Sequence, residues 1–143
     1  MVVARIACLA VVGLALSACS SSSSSAKVGP VIDDFTMADT ATVGTVTINN
    51  ADVTGYDIKG TISFHDNEQN VTKYIVHLDI PGATTTDQSF DLPLSAQTKQ
   101  ASNVGFQFVL DQNAPKGPVD VTVTLVDAVG AKSDPEKKST TLQ

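Results

Sequence analysis

Acidic and amide side chains are concentrated in two short polar segments of this chain. They are Asp66, Asn67, Glu68 and Asn70 in one segment, and Asp127 and Asp134 in the other. Their oxygens suit Ca²⁺, which takes about six to eight oxygen ligands at roughly 2.3–2.6 Å. If both segments are turns at one end of the fold, the calcium candidates are Asp66, Asn67, Glu68 and Asp127. The D-x-D-x-D-G spacing of a dedicated calcium loop is absent, and Asp and Asn in turns commonly bond to their own backbone. We therefore assign no metal site from the sequence.

Residues suited to acid–base or nucleophilic catalysis are sparse. The two histidines, His65 and His77, fall at outward positions of different predicted strands, with no cysteine nearby. Ser89 or Ser95 would need a positioned base and oxyanion donors to act as a nucleophile. No G-x-S-x-G or S-x-x-K signature is present. We predict no catalytic residues, no enzymatic activity and no cofactor.

The aromatic residues give little support for carbohydrate binding by stacking. The chain has no Trp, and four aromatic side chains are expected to face the core: Phe64, Tyr74, Phe106 and Phe108. Only Tyr56, with Phe35 or Phe90, is left to face solvent, which is too few for a flat platform. Binding of calcium or a glycan by an accessory domain is kept as an alternative function.

The N-terminal residues have the three regions of a secretory signal. Residues 1–5 carry one positive charge, residues 6–16 are apolar, and residues 17–18 are small. The apolar run would form a helix of roughly 16 Å, whereas the hydrocarbon core of a bilayer is about 30 Å thick. The run is too short to span a membrane, so we predict a cleaved signal peptide over residues 1–18.

Leu16-Ser17-Ala18-Cys19 resembles the lipobox of bacterial lipoproteins. The resemblance implies cleavage before Cys19, a diacylglyceryl group in thioether linkage to its sulfur, and acylation of its new α-amine. Two or three acyl chains anchor a protein far more firmly than a single one. Ser20 stands where an Asp would suggest retention at the inner membrane of enteric bacteria, so the outer membrane is the preferred location.

A serine-rich stretch separates Cys19 from the rest of the chain. Residues 19–30 are predicted to be a lipidated flexible tether with a reach of roughly 17–20 Å. Residues 31–143 are one domain by length. The chain has a formal net charge of −6 and no basic cluster, which argues against nucleic acid and against electrostatic attraction to anionic lipids. The lipid would be the only hold on the membrane.

Apolar and polar residues alternate in four segments, which predicts strands with one face in the core and one in solvent. The inward residues are Ile58, Gly60, Ile62 and Phe64; Tyr74, Val76, Leu78 and Ile80; Val104, Phe106, Phe108 and Leu110; and Val119, Val121, Val123 and Leu125. A weaker strand is predicted over residues 45–50, and polar edge strands over residues 31–37 and 136–142. Seven to eight short strands predict an all-β, antiparallel two-sheet sandwich.

Two segments resemble bacterial immunoglobulin-like or fibronectin-type-III-like domains. Residues 62–71, ISFHDNEQNV, resemble the B strand, an acidic turn and the start of the C strand. Residues 113–133 resemble the E–F corner, the long F strand and a D-x-x-G-x-x-S turn into strand G. The resemblance implies an immunoglobulin-like sandwich whose B–C and F–G turns share one end. Val119 stands at the corner position that many such domains fill with Tyr, and architecture does not assign function.

The sequence predicts an envelope lipoprotein, anchored through Cys19, whose domain is a non-enzymatic interaction or structural module. Its partner would be another envelope protein, bound through end loops or by strand addition at a polar edge. A small envelope hydrolase is the least favoured alternative.

Overall fold

The structure, a computed structural model, describes residues 29–48, 50–83 and 85–143. The predicted signal peptide at residues 1–18, the lipidation at Cys19 and all but the end of the tether at residues 19–30 lie outside the described residues. The elements in chain order are β1 (Val31–Met37), β2 (Thr40–Ala41), β3 (Val43–Ile48), β4 (Ala51–His65), β5 (Val71–Asp79), β6 (Thr86–Asp91), α1 (Leu94–Gln97), β7 (Ala101–Asp111), β8 (Gly117–Asp127) and β9 (Glu136–Leu142).

The strands form two sheets that pack face to face, and the predicted all-β sandwich is confirmed. In the first sheet, β4 pairs antiparallel with β7 on one side and with both β1 and β3 on the other. The second sheet has the order β2-β9-β8-β5-β6, in which only the β2–β9 pair is parallel. No helix in the described part of the chain is long and apolar enough to cross a membrane.

Strand β4, with 15 residues, is the longest described element, and its two ends mark the two ends of the domain. Its last residues pair with β1, through Val31 opposite His65, and its first residues pair with β3, through Ile48 opposite Ala51. We call the end at His65, with the β4–β5 and β8–β9 turns, the proximal end. The distal end holds the tip of the β3–β4 hairpin together with the β5–β6 and β7–β8 turns.

The core lies between the inward faces of the two sheets. Its fully buried members include Ile58, Ile62 and Phe64 of β4 and four alternate residues of β8: Val119, Val121, Val123 and Leu125. Alternation of this kind is what the sequence predicts, because successive side chains of a strand point to opposite faces. Val119, at the corner position, is completely buried and takes part in this packing.

Gly60 faces the same side of β4 as Ile58 and Ile62, and its missing side chain has a packing role. A Cβ at this position would overlap the ring of Phe106 and would lie 2.9 Å from the carbonyl oxygen of Thr36. The Phe106 ring therefore occupies the space above Gly60. It also stacks on Phe108, with ring centroids 5.8 Å apart.

The structure adds detail that the alternation pattern did not predict. The described residues form nine strands. The pattern gave no signal for two of them, the two-residue β2 and the polar edge strand β6. Tyr56 and Phe35 were expected to be available to solvent, and this was wrong: they are 1% and 2% exposed and belong to the core. Tyr56 continues the inward register of β4 beyond Ile58, and Phe35 packs on Phe106 with ring centroids 5.9 Å apart.

Candidate functional site

The two acidic turns, between β4 and β5 and between β8 and β9, meet at the proximal end. Val71, at the start of β5, pairs with Asp127 at the end of β8. The backbone N–H of Ala128 donates to the carbonyl oxygen of Asn70 over 2.9 Å. The calcium candidates are therefore near one another in the fold. Whether they could bind a cation depends on which of their oxygen atoms already accept hydrogen bonds.

Asp66 uses its carboxylate to hold the β4–β5 turn. Its side chain is nearly buried, and its two oxygens accept the backbone N–H groups of Glu68 at 3.3 Å and Asn70 at 2.9 Å. Asn67 and Glu68 are exposed. The Asn67 Oδ1 accepts from Gln100 and a Glu68 carboxylate oxygen accepts from the Asn70 amide, each over 3.2 Å.

Asp127 performs the same task in the β8–β9 turn. Its Oδ1 accepts the backbone N–H groups of Val129 at 2.9 Å and Ala131 at 2.7 Å. Gly130 has a positive φ of 86°, which suits glycine because it has no Cβ. The hydroxyl oxygen of buried Ser133 accepts the N–H of Leu125 at 2.9 Å. The D-x-x-G-x-x-S spacing thus has a structural explanation: each of its three residues closes the turn.

Both carboxylate oxygens of Asp66 and one of Asp127 accept backbone N–H groups of their own turns, and Asn67 and Glu68 accept from neighbouring side chains. The Asn70 Oδ1 is buried without a partner among the described residues, but Ca²⁺ requires about six or more oxygens. No group of three or more His, Cys, Asp or Glu side chains that could hold a metal ion is present in residues 29–48, 50–83 and 85–143.

The two histidines lie in different sheets and each pairs with its own carboxylate. The Nδ1 of His65 on β4 is 2.6 Å from the Asp33 Oδ1 on β1, and the Nδ1 of His77 on β5 is 2.5 Å from the Asp87 Oδ1 on β6. Both pairs are solvent-exposed cross-strand contacts. Among the described residues, neither histidine side chain makes a hydrogen bond to a serine.

Ser95 lies in a cleft between α1 and β7. The cleft has a volume of about 350 Å³, and the residues around it include Tyr74, Asp91, Lys99 and Asn103. Burial raises the pKa of the Tyr74 hydroxyl. The hydrogen bonds of the described residues join Ser95 to neither Lys99 nor a histidine, so the geometry needed for a nucleophile and its base is absent from this part of the structure.

The surface has no aromatic platform. All seven aromatic side chains, two Tyr and five Phe, lie in the described residues, and each is buried or half-buried. Phe90 is half-buried because its ring stacks on that of Tyr74, with centroids 5.1 Å apart. Sugar stacking on exposed rings is therefore not supported by the surface chemistry.

The open edge of β7 is a distinctive surface feature of the described residues, and the alternation pattern did not predict it. Within the part of the chain that the structure describes, β7 pairs with β4 along all eleven residues and with no strand on its other side. Alternate residues of an edge strand direct their N–H and C=O groups away from the sheet, where another strand can bind them. The first ten residues of β7, ASNVGFQFVL, carry no charge.

Other exposed edges carry features that discourage pairing. Strand β1 has Asp33 and Asp34 with a register shift between Ile32 and Asp34, and β6 carries Asp87 and Asp91. Charged side chains and bulges are the devices by which edge strands avoid association. Strand β3 is uncharged but has only six residues. The sequence shows that β7 is long and that its first ten residues are uncharged. It does not show that β7 is an edge strand, because edge position depends on topology.

The described chain starts at the proximal end. A Cβ on Gly29 would lie 2.7 Å from the carbonyl oxygen of Lys132 in the β8–β9 turn. The acidic turns therefore lie beside the point where residue 29 joins the domain. The hairpin tip, at the other end of β4, is roughly 45 Å away along the strand, at about 3.3 Å per residue.

Comparison with family models, with curated proteins and with solved structures gives no match.

Proposed function

We propose that this chain is a bacterial envelope lipoprotein whose sandwich domain is a non-enzymatic interaction module. In this proposal, residues 1–18 are removed, Cys19 carries the acyl chains, and residues 19–30 hold the domain at residues 31–143 away from the bilayer. The outer membrane is the preferred location, and the partner is a protein of the same envelope.

The observation that carries the proposal is the open edge of β7. Strand addition supplies affinity through main-chain hydrogen bonds and specificity through the side chains that alternate along the edge. An uncharged edge of this length is a hazard in a freely diffusing protein. It is a useful surface in a protein that has a partner to pair with.

The position of Gly29 supports the same arrangement. With the anchor before this residue, the proximal turns would face the membrane, and the distal end would face outward. The β7 edge runs along the side of the domain from Ala101, near His65, to Asp111, near Gly55. A partner standing on the same membrane can therefore pair with it side by side.

The anchoring part of the proposal is tested by fractionation of cells that produce Cys19→Ala. This variant should leave the membrane fraction, because it cannot be acylated. The matched control is Cys8→Ala, which changes the other cysteine of the chain and should stay with the membrane. Retention of Cys19→Ala in the membrane fraction would contradict a lipid anchor at this residue.

The interaction part is tested by mild crosslinking of the membrane-bound protein and recovery of its adducts. A doubly substituted chain, Gln107→Lys with Val109→Lys, places two charges on the β7 edge and should lose the adducts. Thr45→Lys with Thr47→Lys makes the same change on the edge of β3 and should keep them. Equal adducts from both variants would show that β7 is not the binding edge.

A further inference from the structure

No strand or helix of the described residues pairs with the second half of the β7 edge. Ser102, Asn103, Val104 and Gly105 line the cleft beside α1, so α1 stands next to the first half of the strand. Gly105 lies at the border of the cleft, and residues 106–111 continue past it to the distal end, where Asp111 pairs with Gly55 of β4. In the described residues no element covers this second half of the edge.

The apolar side chains of this half are incompletely buried. Phe108, Val109 and Leu110 are each only partly shielded from solvent. Phe108 extends the aromatic stack that starts at Phe106. A strand laid against this edge would cover the exposed parts of these side chains, and burial of apolar surface stabilises such a contact.

The segment is complementary to itself in the antiparallel direction. With a two-fold axis at Phe108, each Phe108 faces its own copy, and Phe106 faces Leu110. On the outer face, Gln107 faces Val109, and Asp111 faces Gly105, which has no side chain. Asp111, the one charged residue of the segment, therefore does not face a like charge. This favours pairing, because like charges directly opposite each other destabilise a strand pair.

We propose that two copies of this chain associate by antiparallel pairing of residues 105–111 of β7 about a two-fold axis at Phe108. This inference rests on the proposed function, because it names a second copy as the partner at the same edge. The contact is isologous, so each copy uses the same surface and the assembly closes as a dimer. Pairing joins the two first sheets into one continuous sheet.

Membrane anchoring makes a contact of this size effective. Seven paired residues form a small interface, and small interfaces bind weakly in solution. Two chains held on the same membrane by short tethers meet at a raised effective concentration, which strengthens a weak contact without adding new interactions. Lateral approach of two anchored copies also brings the sides of the domains together.

The register is tested by disulfide formation in intact cell envelopes. One full-length chain carries Gln107→Cys, a second with a different tag carries Val109→Cys, and the two are produced together. Directly opposed residues of an antiparallel pair have Cα atoms about 4.5–5.5 Å apart, within the range a disulfide accepts. The mixed pair should give a disulfide heterodimer severalfold more abundant than the disulfide homodimers of either chain alone.

The matched control is Thr45→Cys mixed with Thr47→Cys on the β3 edge, which should give only background. A mixed β7 pair at or below this background would overturn the dimer. A disulfide between the β7 variants and a different protein would also overturn it, while leaving the β7 edge as a binding site. Disulfide dimers of the chain without introduced cysteines would report a free Cys19 thiol and would contradict the lipid anchor separately.

Discussion

At the scale of single residues, the two buried acidic side chains of the described residues hold turns. Asp66 and Asp127 are 2% and 4% exposed, and their carboxylates accept backbone N–H groups of their own turns. A hydrogen bond to a charged group contributes about 1.5–3 kcal/mol to stability. The same Asp and Asn composition that suggests calcium in the sequence is explained by turn formation.

Asp127→Ala should lower the free energy of unfolding by about 1–3 kcal/mol, because the N–H groups of Val129 and Ala131 lose their acceptor. Urea unfolding monitored by circular dichroism measures the change. Asp134→Ala, at an exposed position in the same turn, is the control and should unfold close to the wild type. Equal unfolding midpoints for both variants would contradict the role assigned to Asp127.

Asp120 gives a pH-dependent contribution on the outer face of the second sheet. Its carboxylate accepts a hydrogen bond from Ser139 and lies 2.6 Å from the Lys137 ammonium. The hydrogen bond from Lys137, followed by that from Ser139, lowers the pKa of Asp120, and the same contact with Asp120 raises the pKa of Lys137. A lowered carboxyl pKa stabilises the fold above the unfolded-state pKa, and this contribution is lost as the pH falls through the folded-state value.

Asp120→Asn should therefore be less stable than the wild type at neutral pH, and the difference should shrink in acid as the wild-type carboxylate is protonated. The effect is small, because the pair is solvent-exposed. Urea midpoints measured at neutral pH and below the usual titration range of Asp give the comparison. A difference that grows in acid would have the wrong sign for a lowered pKa.

At the scale of elements, Gly60 leaves room on the inward face of β4 for a side chain of the paired strand β7. Gly60 has no side chain, so there is a space on the inward face of β4 between Ile58 and Ile62. The Phe106 ring of the neighbouring strand fills this space. Gly44 on β3 has nothing within 4 Å of the position a Cβ would take. Both positions are glycine within a strand, but a methyl group would collide with the core at Gly60 and would project into open space at Gly44.

Gly60→Ala should destabilise the domain by about 1–3 kcal/mol, because the added methyl group displaces the Phe106 ring from a packed core. Gly44→Ala should stay within about 0.5 kcal/mol of the wild type. Denaturant unfolding of the two variants side by side measures the contrast. A Gly60→Ala variant as stable as Gly44→Ala would show that the ring can shift at no cost.

At the scale of the whole molecule, the sandwich is held by its core without a disulfide. The two cysteines of the chain, Cys8 and Cys19, both precede the described residues. The core instead joins both sheets, from Phe35 of β1 to Leu142 at the end of β9. The thermal unfolding midpoint should be the same with and without a thiol reductant, as calorimetry can measure. A lower midpoint in reductant would indicate a stabilising disulfide.

Much of the fold was predictable because the β period is short and local. Alternation located β4, β5, β7 and β8 and gave the correct inward residues of β8. Successive side chains of a strand point to opposite faces, so one buried residue fixes the direction of every other side chain in the strand. The bounds of β1 and β9 were also predicted correctly. Strand β6 was missed because an edge strand with six polar-rich residues buries too little to leave a pattern.

The sequence by itself determined the class of fold, the inward faces of the main strands and the motifs that predict export and lipid attachment. The tertiary structure decided what the polar residues do: it committed Asp66 and Asp127 to their own turns and separated His65 from His77. It also left β7 as an open edge. Local patterns specify which face of a strand is buried. Whether a strand is an edge depends on whether another strand pairs with its free side, and that is determined by the pairing of segments that are distant in the sequence.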